Sequence, residues 1–155
     1  MEFSGEKLTF KRIFNYIFGL FLITLGVAFS IKSGLGSTPV ASIPYALNLI
    51  WKIDLGITTF AFQLFLVILQ LMLLRSNFKP KHFLQIIVSV IFGFLTSISM
   101  ALIAFIPMAD NLITALFMSA ISIVLIALGL FFYVPANIVP ISVEGITQTI
   151  AIVLN

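Results

Sequence analysis

The sequence predicts an all-α protein, a polytopic bundle of transmembrane helices with two broken segments, and three observations lead there. Of its 155 residues, 61% are hydrophobic and 8% charged, with a mean hydropathy of +1.25; globular chains run near half apolar and a quarter charged. The apolar residues gather into runs at 13–31, 57–74, 84–106 and 112–134, each long enough to cross about 30 Å of hydrocarbon at about 1.5 Å per residue. Between the first two runs, SIKSGLGSTPVASIPYALNLIW places Gly34, Gly36, Pro39 and Pro44 where a continuous helix is costly, because Gly loosens backbone and Pro removes a donor. Non-helical backbone between membrane-length segments persists only where protein buries it or water bathes it.

Residues 1–12 form a polar tail with Glu2, Glu6, Lys7, Lys11 and Arg12. The run that follows exceeds the apolar core of a signal peptide, and further spans come after it, which favours a retained first span. After the break, either Thr38 with Pro39 at the first helical position or Ser42 with Pro44 close behind caps a short helix over 39–51. The second span leads into RSNFKPKHF, whose Arg75, Lys79 and Lys81 place that connection, and with it the N-terminus, in the cytoplasm of a bacterial plasma membrane. Lys32 and Lys52 on the outer side oppose this bias without reversing it. The third and fourth spans flank a tight turn at 107–111, and Ser142 is expected to cap a final helix over 143–154. The whole chain reads as one membrane domain.

Zero cysteines and a single histidine, His82, leave no disulfide, thiolate metal site or histidine cluster. No nucleophile and base pair, nucleotide loop or metal motif is present, so neither an enzyme nor a cofactor is expected. The basic residues sit in one connection rather than a stripe, so they mark topology and not nucleic acid.

In the third span Ser89, Gly93, Ser97 and Ala101 recur every fourth residue and form a seam for another helix, of the same chain or of a second copy. Gln63 and Gln70 share a face of the second span, either for interhelical hydrogen bonds or along a polar pathway. Glu144 falls in the first turn of the last helix, where the dipole favours a carboxylate. It is either an interfacial residue or, if the break lies deep, a titrating or cation-binding group. The free amides of the first break, around Thr38 and Ser42, suit an anion better.

Leu25-Gly26 followed by Phe29 matches Leu128-Gly129 followed by Phe132 at an offset of 103 residues, and in both places a span gives way to a turn, with Gly34 and Asn137 at corresponding positions. Three spans separate the starts of the two copies, so the second is inverted relative to the first, as in transporters whose interrupted helices meet at a midplane site. On that logic the breaks at 34–42 and 135–142, marked by Pro135 and Pro140, are expected to approach each other.

Gly26, Ala28, Leu35, Gly36 and Pro39, then Asn137, Pro140, Glu144 and Gly145, resemble the two signature regions of the YczE and YitT type of bacterial multi-pass membrane proteins. Val40 stands where that pattern has an aromatic residue. The resemblance implies a multi-pass helical array longer than this chain and no particular activity. The functional expectation is a permease-like protein for a small solute, ion-coupled or not, with the bilayer, a small-molecule or ion substrate and a homo-oligomer as candidate partners. The alternative is a non-transporting scaffold or regulatory partner.

Overall fold

The computed structural model describes residues 9–74 and 83–154. Among these, the architecture is entirely helical: α1 (Phe10–Ser33), α2 (Pro39–Trp51), α3 (Leu55–Leu74), α4 (Leu84–Leu102), α5 (Leu112–Ala136) and α6 (Ser142–Leu154). Helices α1, α3, α4 and α5 are long and apolar enough to cross a membrane. The third span is shorter than expected, ending at Leu102 rather than 106. Helix α5 runs through Pro135 to Ala136, so the second break is only 137–141. The basic connection at 75–82, with Arg75, Lys79, Lys81 and His82, lies outside the described residues, as does the tail at 1–8.

The bundle is built on α1 and α5. Gly19 faces Gly129 and Tyr133, while Gly26 faces Ser122 and Ile126, so the two helices run antiparallel. Glycine makes this approach feasible: a methyl group at Gly129 would meet Ile23 Cγ1 at 2.7 Å and the Gly19 carbonyl at 2.8 Å. One at Gly26 would meet Ile126 Cγ1 at 2.6 Å and the Ser122 carbonyl at 3.0 Å. Without a hydrophobic drive between helices in lipid, such backbone proximity is the main source of association. The Ser122 hydroxyl adds a 2.7 Å bond to the Gly26 carbonyl.

These contacts obey the offset of 103. Shifting by it turns Gly19, Ile23 and Gly26 into Ser122, Ile126 and Gly129, the residues across the crossing, so the interface maps onto itself under an inverting two-fold relation. The relation continues into the breaks. Gly34 and Asn137 are both left-handed helix ends, with φ 68° and 44°. The Ser30 hydroxyl donates to the Gly36 carbonyl at 3.0 Å and the Tyr133 hydroxyl lies 3.4 Å from the Val139 carbonyl, again matched positions. Helices α2 and α6, each 13 residues long, also correspond end to end.

Helix α4 lies against α1, with the Thr24 and Ser99 hydroxyls 2.9 Å apart, and against α3. There Gly93 and Ser97 meet Gly56, so closely that a methyl group at Gly93 would lie 2.7 Å from the Gly56 carbonyl. The seam therefore packs within the chain, but Ser89 reaches α6 instead and Ala101 is exposed. Asp54 starts α3, its Oδ1 accepting the Gly56 amide at 2.9 Å and the Ile57 amide at 3.3 Å, with the Ser97 hydroxyl as a further donor. Two of the four free N–H groups of that helix end are thereby satisfied.

Candidate functional site

The antiparallel α1 and α5 pair sends the two breaks to opposite ends of the bundle. The first follows Ser33, where the Ala109 amide donates to the Lys32 carbonyl and the Lys32 ammonium closes the end of α4 through the Ala104 and Ile106 carbonyls. The second packs against Arg12 and Tyr16 at the start of α1, about 25 Å away along that helix. The expected approach of the two breaks is therefore incorrect. The repeat that suggested it also forbids it, because matched ends of antiparallel helices point in opposite directions.

At the first break, the helix takes the Thr38 start: its Oγ1 accepts the Ala41 amide at 3.3 Å, with Pro39 in the first turn. The exposed Ser42 bonds back to the Thr38 carbonyl and to the Ser37 hydroxyl. Pro44 is the single buried residue of α2, and Gly34 and Gly36 both have positive φ, which suits glycine.

The second break is held by side chains from two spans. Arg12 donates through its guanidinium to the Ala136 carbonyl at 3.0 and 3.3 Å. Tyr16 donates to the Val139 carbonyl at 2.8 Å. The Tyr133 hydroxyl accepts the Ile141 amide at 2.8 Å and donates to Glu144 Oε2 at 2.7 Å. Backbone that cannot pair helically is thus satisfied within protein, as an apolar surrounding demands. Asn137 serves through its backbone, in the left-handed position, with its side chain exposed, and Pro140 lies within the same turn.

Beyond this turn, α6 lies along α3 with Ser142, Gly145 and Thr149 buried. Ser142 is the first residue of α6 rather than its cap. Its hydroxyl is 3.0 Å from that of Ser89, and its carbonyl accepts Gln70 Nε2 at 3.0 Å. Ser89 in turn donates to the Gln85 carbonyl at 2.7 Å. Gly145 admits the glutamine heads: a methyl group there would lie 2.6 Å from Gln85 Nε2 and 2.8 Å from Gln70 Oε1. The result is a polar junction of α3, α4 and α6. Gln63 is also buried on α3, two turns before Gln70.

Of the candidates read from sequence, the structure brings Gln70 and Glu144 to this end. It leaves Thr38 and Ser42 at the other. Gln85, Tyr16, Tyr133 and Arg12 were missed. Their only signal was polarity inside or beside an apolar run, which also describes interfacial residues. Among the described residues, no group of three His, Cys, Asp or Glu side chains could hold a metal ion.

Residues 10–155 match a family described as "Family of unknown function (DUF6198)", and the chain belongs to that family. The class defined here is thus a multi-spanning helical membrane protein with an inverted structural relation between its first and last helix pairs. No curated protein and no solved structure gives a significant match.

Proposed function

We propose that the chain is a transporter-like permease for a small solute in the bacterial plasma membrane, with its N-terminus and the 75–82 connection in the cytoplasm. One observation carries this reading: a half-length helix, α6, follows a break and lays a polar face of Ser142, Gly145 and Thr149 against Gln70 and Gln85 of neighbouring spans. Buried polar groups among membrane spans are costly when unpaired; they serve interhelical hydrogen bonds and also line substrate or ion paths. Inverted copies with interrupted helices recur in transporters, although here the two breaks lie at opposite ends of the bundle and only the second bears on this path. The likeness of Gly26, Gly36, Pro39, Asn137, Pro140, Glu144 and Gly145 to the YczE and YitT signature regions adds support for the multi-pass array, not for a substrate.

The test is reconstitution into liposomes, with uptake assayed over labelled amino acids, organic acids, sugars and inorganic ions. Saturable uptake that Glu144→Gln abolishes, without loss of folding, supports the reading. No uptake of any probe, together with a stoichiometric partner recovered from membranes, would replace it with the scaffold reading.

A further inference from the structure

Three side chains at or near the polar junction have incomplete hydrogen bonding. Gln70, Gln85 and Gln63 are 0%, 1% and 3% exposed, and the amide oxygen of each has no partner. A buried acceptor left without a donor costs about 1–3 kcal/mol, and hydrocarbon offers no water to recover it. Three such oxygens in one chain call for something that binds them.

Two of the three converge. The amide heads of Gln70 and Gln85 both lie on the side of Gly145 where a side chain would otherwise stand, within 2.6 to 3.0 Å of a methyl position there. Gln70 Oε1 already lies there while its Nε2 holds the Ser142 carbonyl, and a half-turn about the last torsion of Gln85 exchanges its oxygen and nitrogen, so both oxygens can face the same place. Around them stand the Ser89 and Ser142 hydroxyls, 3.0 Å apart, and the Ser142 and Gln85 carbonyls. All are uncharged oxygens. Divalent cations in protein sites generally draw carboxylates, whereas sets of neutral carbonyl oxygens replace the hydration shell of alkali ions. Glu144, next to Gly145, puts a carboxyl group at the same end of α6, its Oε2 accepting from the Tyr133 hydroxyl.

We propose that this junction is a binding site for a monovalent alkali cation, sodium in the first instance, held by the amide oxygens of Gln70 and Gln85 with the hydroxyl oxygens of Ser89 and Ser142. This deepens the transport reading and rests on it in one respect: the bound ion is the one coupled to solute movement.

The experiment measures binding without a gradient. Purified protein in detergent is dialysed to equilibrium against radiolabelled sodium, and its thermal midpoint is followed as NaCl replaces choline chloride at constant ionic strength. One sodium bound saturably per chain is expected, with the midpoint rising by about 3–6 °C at tenfold excess over Kd. Gln85→Leu should remove both effects. If that variant does not fold, Gln85→Glu keeps the shape and adds an anionic ligand, and should tighten sodium binding at least tenfold. Sodium retention no greater than background, or unchanged binding in these variants, overturns the proposal and leaves water as the partner of the amides. Sodium bound without any solute uptake defeats only the transport reading; uptake indifferent to sodium, with none bound, defeats only the cation site.

Discussion

The Tyr133 hydroxyl joins two parts of the second break, donating to Glu144 Oε2 at 2.7 Å while accepting the Ile141 amide at 2.8 Å. One oxygen therefore fixes both the turn that leaves α5 and the acid that opens α6. Tyr16, whose ring centroid lies 5.3 Å from that of Tyr133, holds the same turn from α1 through the Val139 carbonyl.

Removing that hydroxyl orphans a backbone donor and takes a bond from the carboxylate. Tyr133→Phe is expected to cost about 1–3 kcal/mol, read as a lower thermal midpoint in detergent. Tyr45→Phe, on α2 at the far end, serves as the comparison and should change little. Equal midpoints for the two variants would mean that the turn is held without Tyr133.

The inverted relation makes a paired prediction at the α1 and α5 crossing. Gly26→Leu and Gly129→Leu each force a side chain against the backbone and an isoleucine of the facing helix. Overpacking of this kind costs about 1–3 kcal/mol or more. Both should lower the yield of monodisperse protein to a similar degree, whereas Leu128→Ala, at an exposed position, should not. A large loss at one glycine and none at its counterpart would show that the two halves of the crossing are not equivalent.

The α3 and α4 contact gives an independent packing test. A methyl group at Gly93 would lie 2.7 Å from the Gly56 carbonyl and 3.0 Å from Phe60 Cβ, so Gly93→Leu should separate the two helices and lower the thermal midpoint. A variant as stable as the parent would place that face toward lipid.

How far the sequence could go is visible in particular residues. Hydropathy located the spans because each must be apolar over its whole length, and Thr38-Pro39 announced the start of α2 because capping chemistry is local. The offset linking Gly26 to Gly129 was legible for the same local reason, since each copy keeps its own glycine and turn. Which helices touch was not legible. Nothing near Gln85 or Tyr133 in sequence reveals Ser142 or Glu144 as neighbours, and the antiparallel crossing that separates the breaks is a property of two distant segments together. Glu144 and Gln70 stood out as polar residues in apolar surroundings, but the orphaned amide oxygens exist only once α6 has docked.

Orientation follows from charge bias and can be tested in the cysteine-free chain. Single cysteines at the exposed positions Phe83 and Met108, near opposite ends of α4, should react with impermeant thiol reagents from opposite sides. Phe83→Cys should be protected in intact cells and Met108→Cys labelled. The reverse pattern would invert the topology while leaving the fold intact.

Transport through this site requires the α3, α4 and α6 junction to open to solution. Ser142 is fully buried there, with its hydroxyl on Ser89, and Ser142→Cys is a near-isosteric probe in a chain with no other thiol. The most direct measurement is the rate at which a small impermeant methanethiosulfonate modifies that variant in inside-out membrane vesicles, with Phe83→Cys, at the same end of α4, as the exposed reference. The account predicts slow but complete modification through transient opening, slowed further when sodium replaces choline. A Ser142→Cys protein that stays unmodified while the reference reacts fully would show the junction to be a sealed structural core.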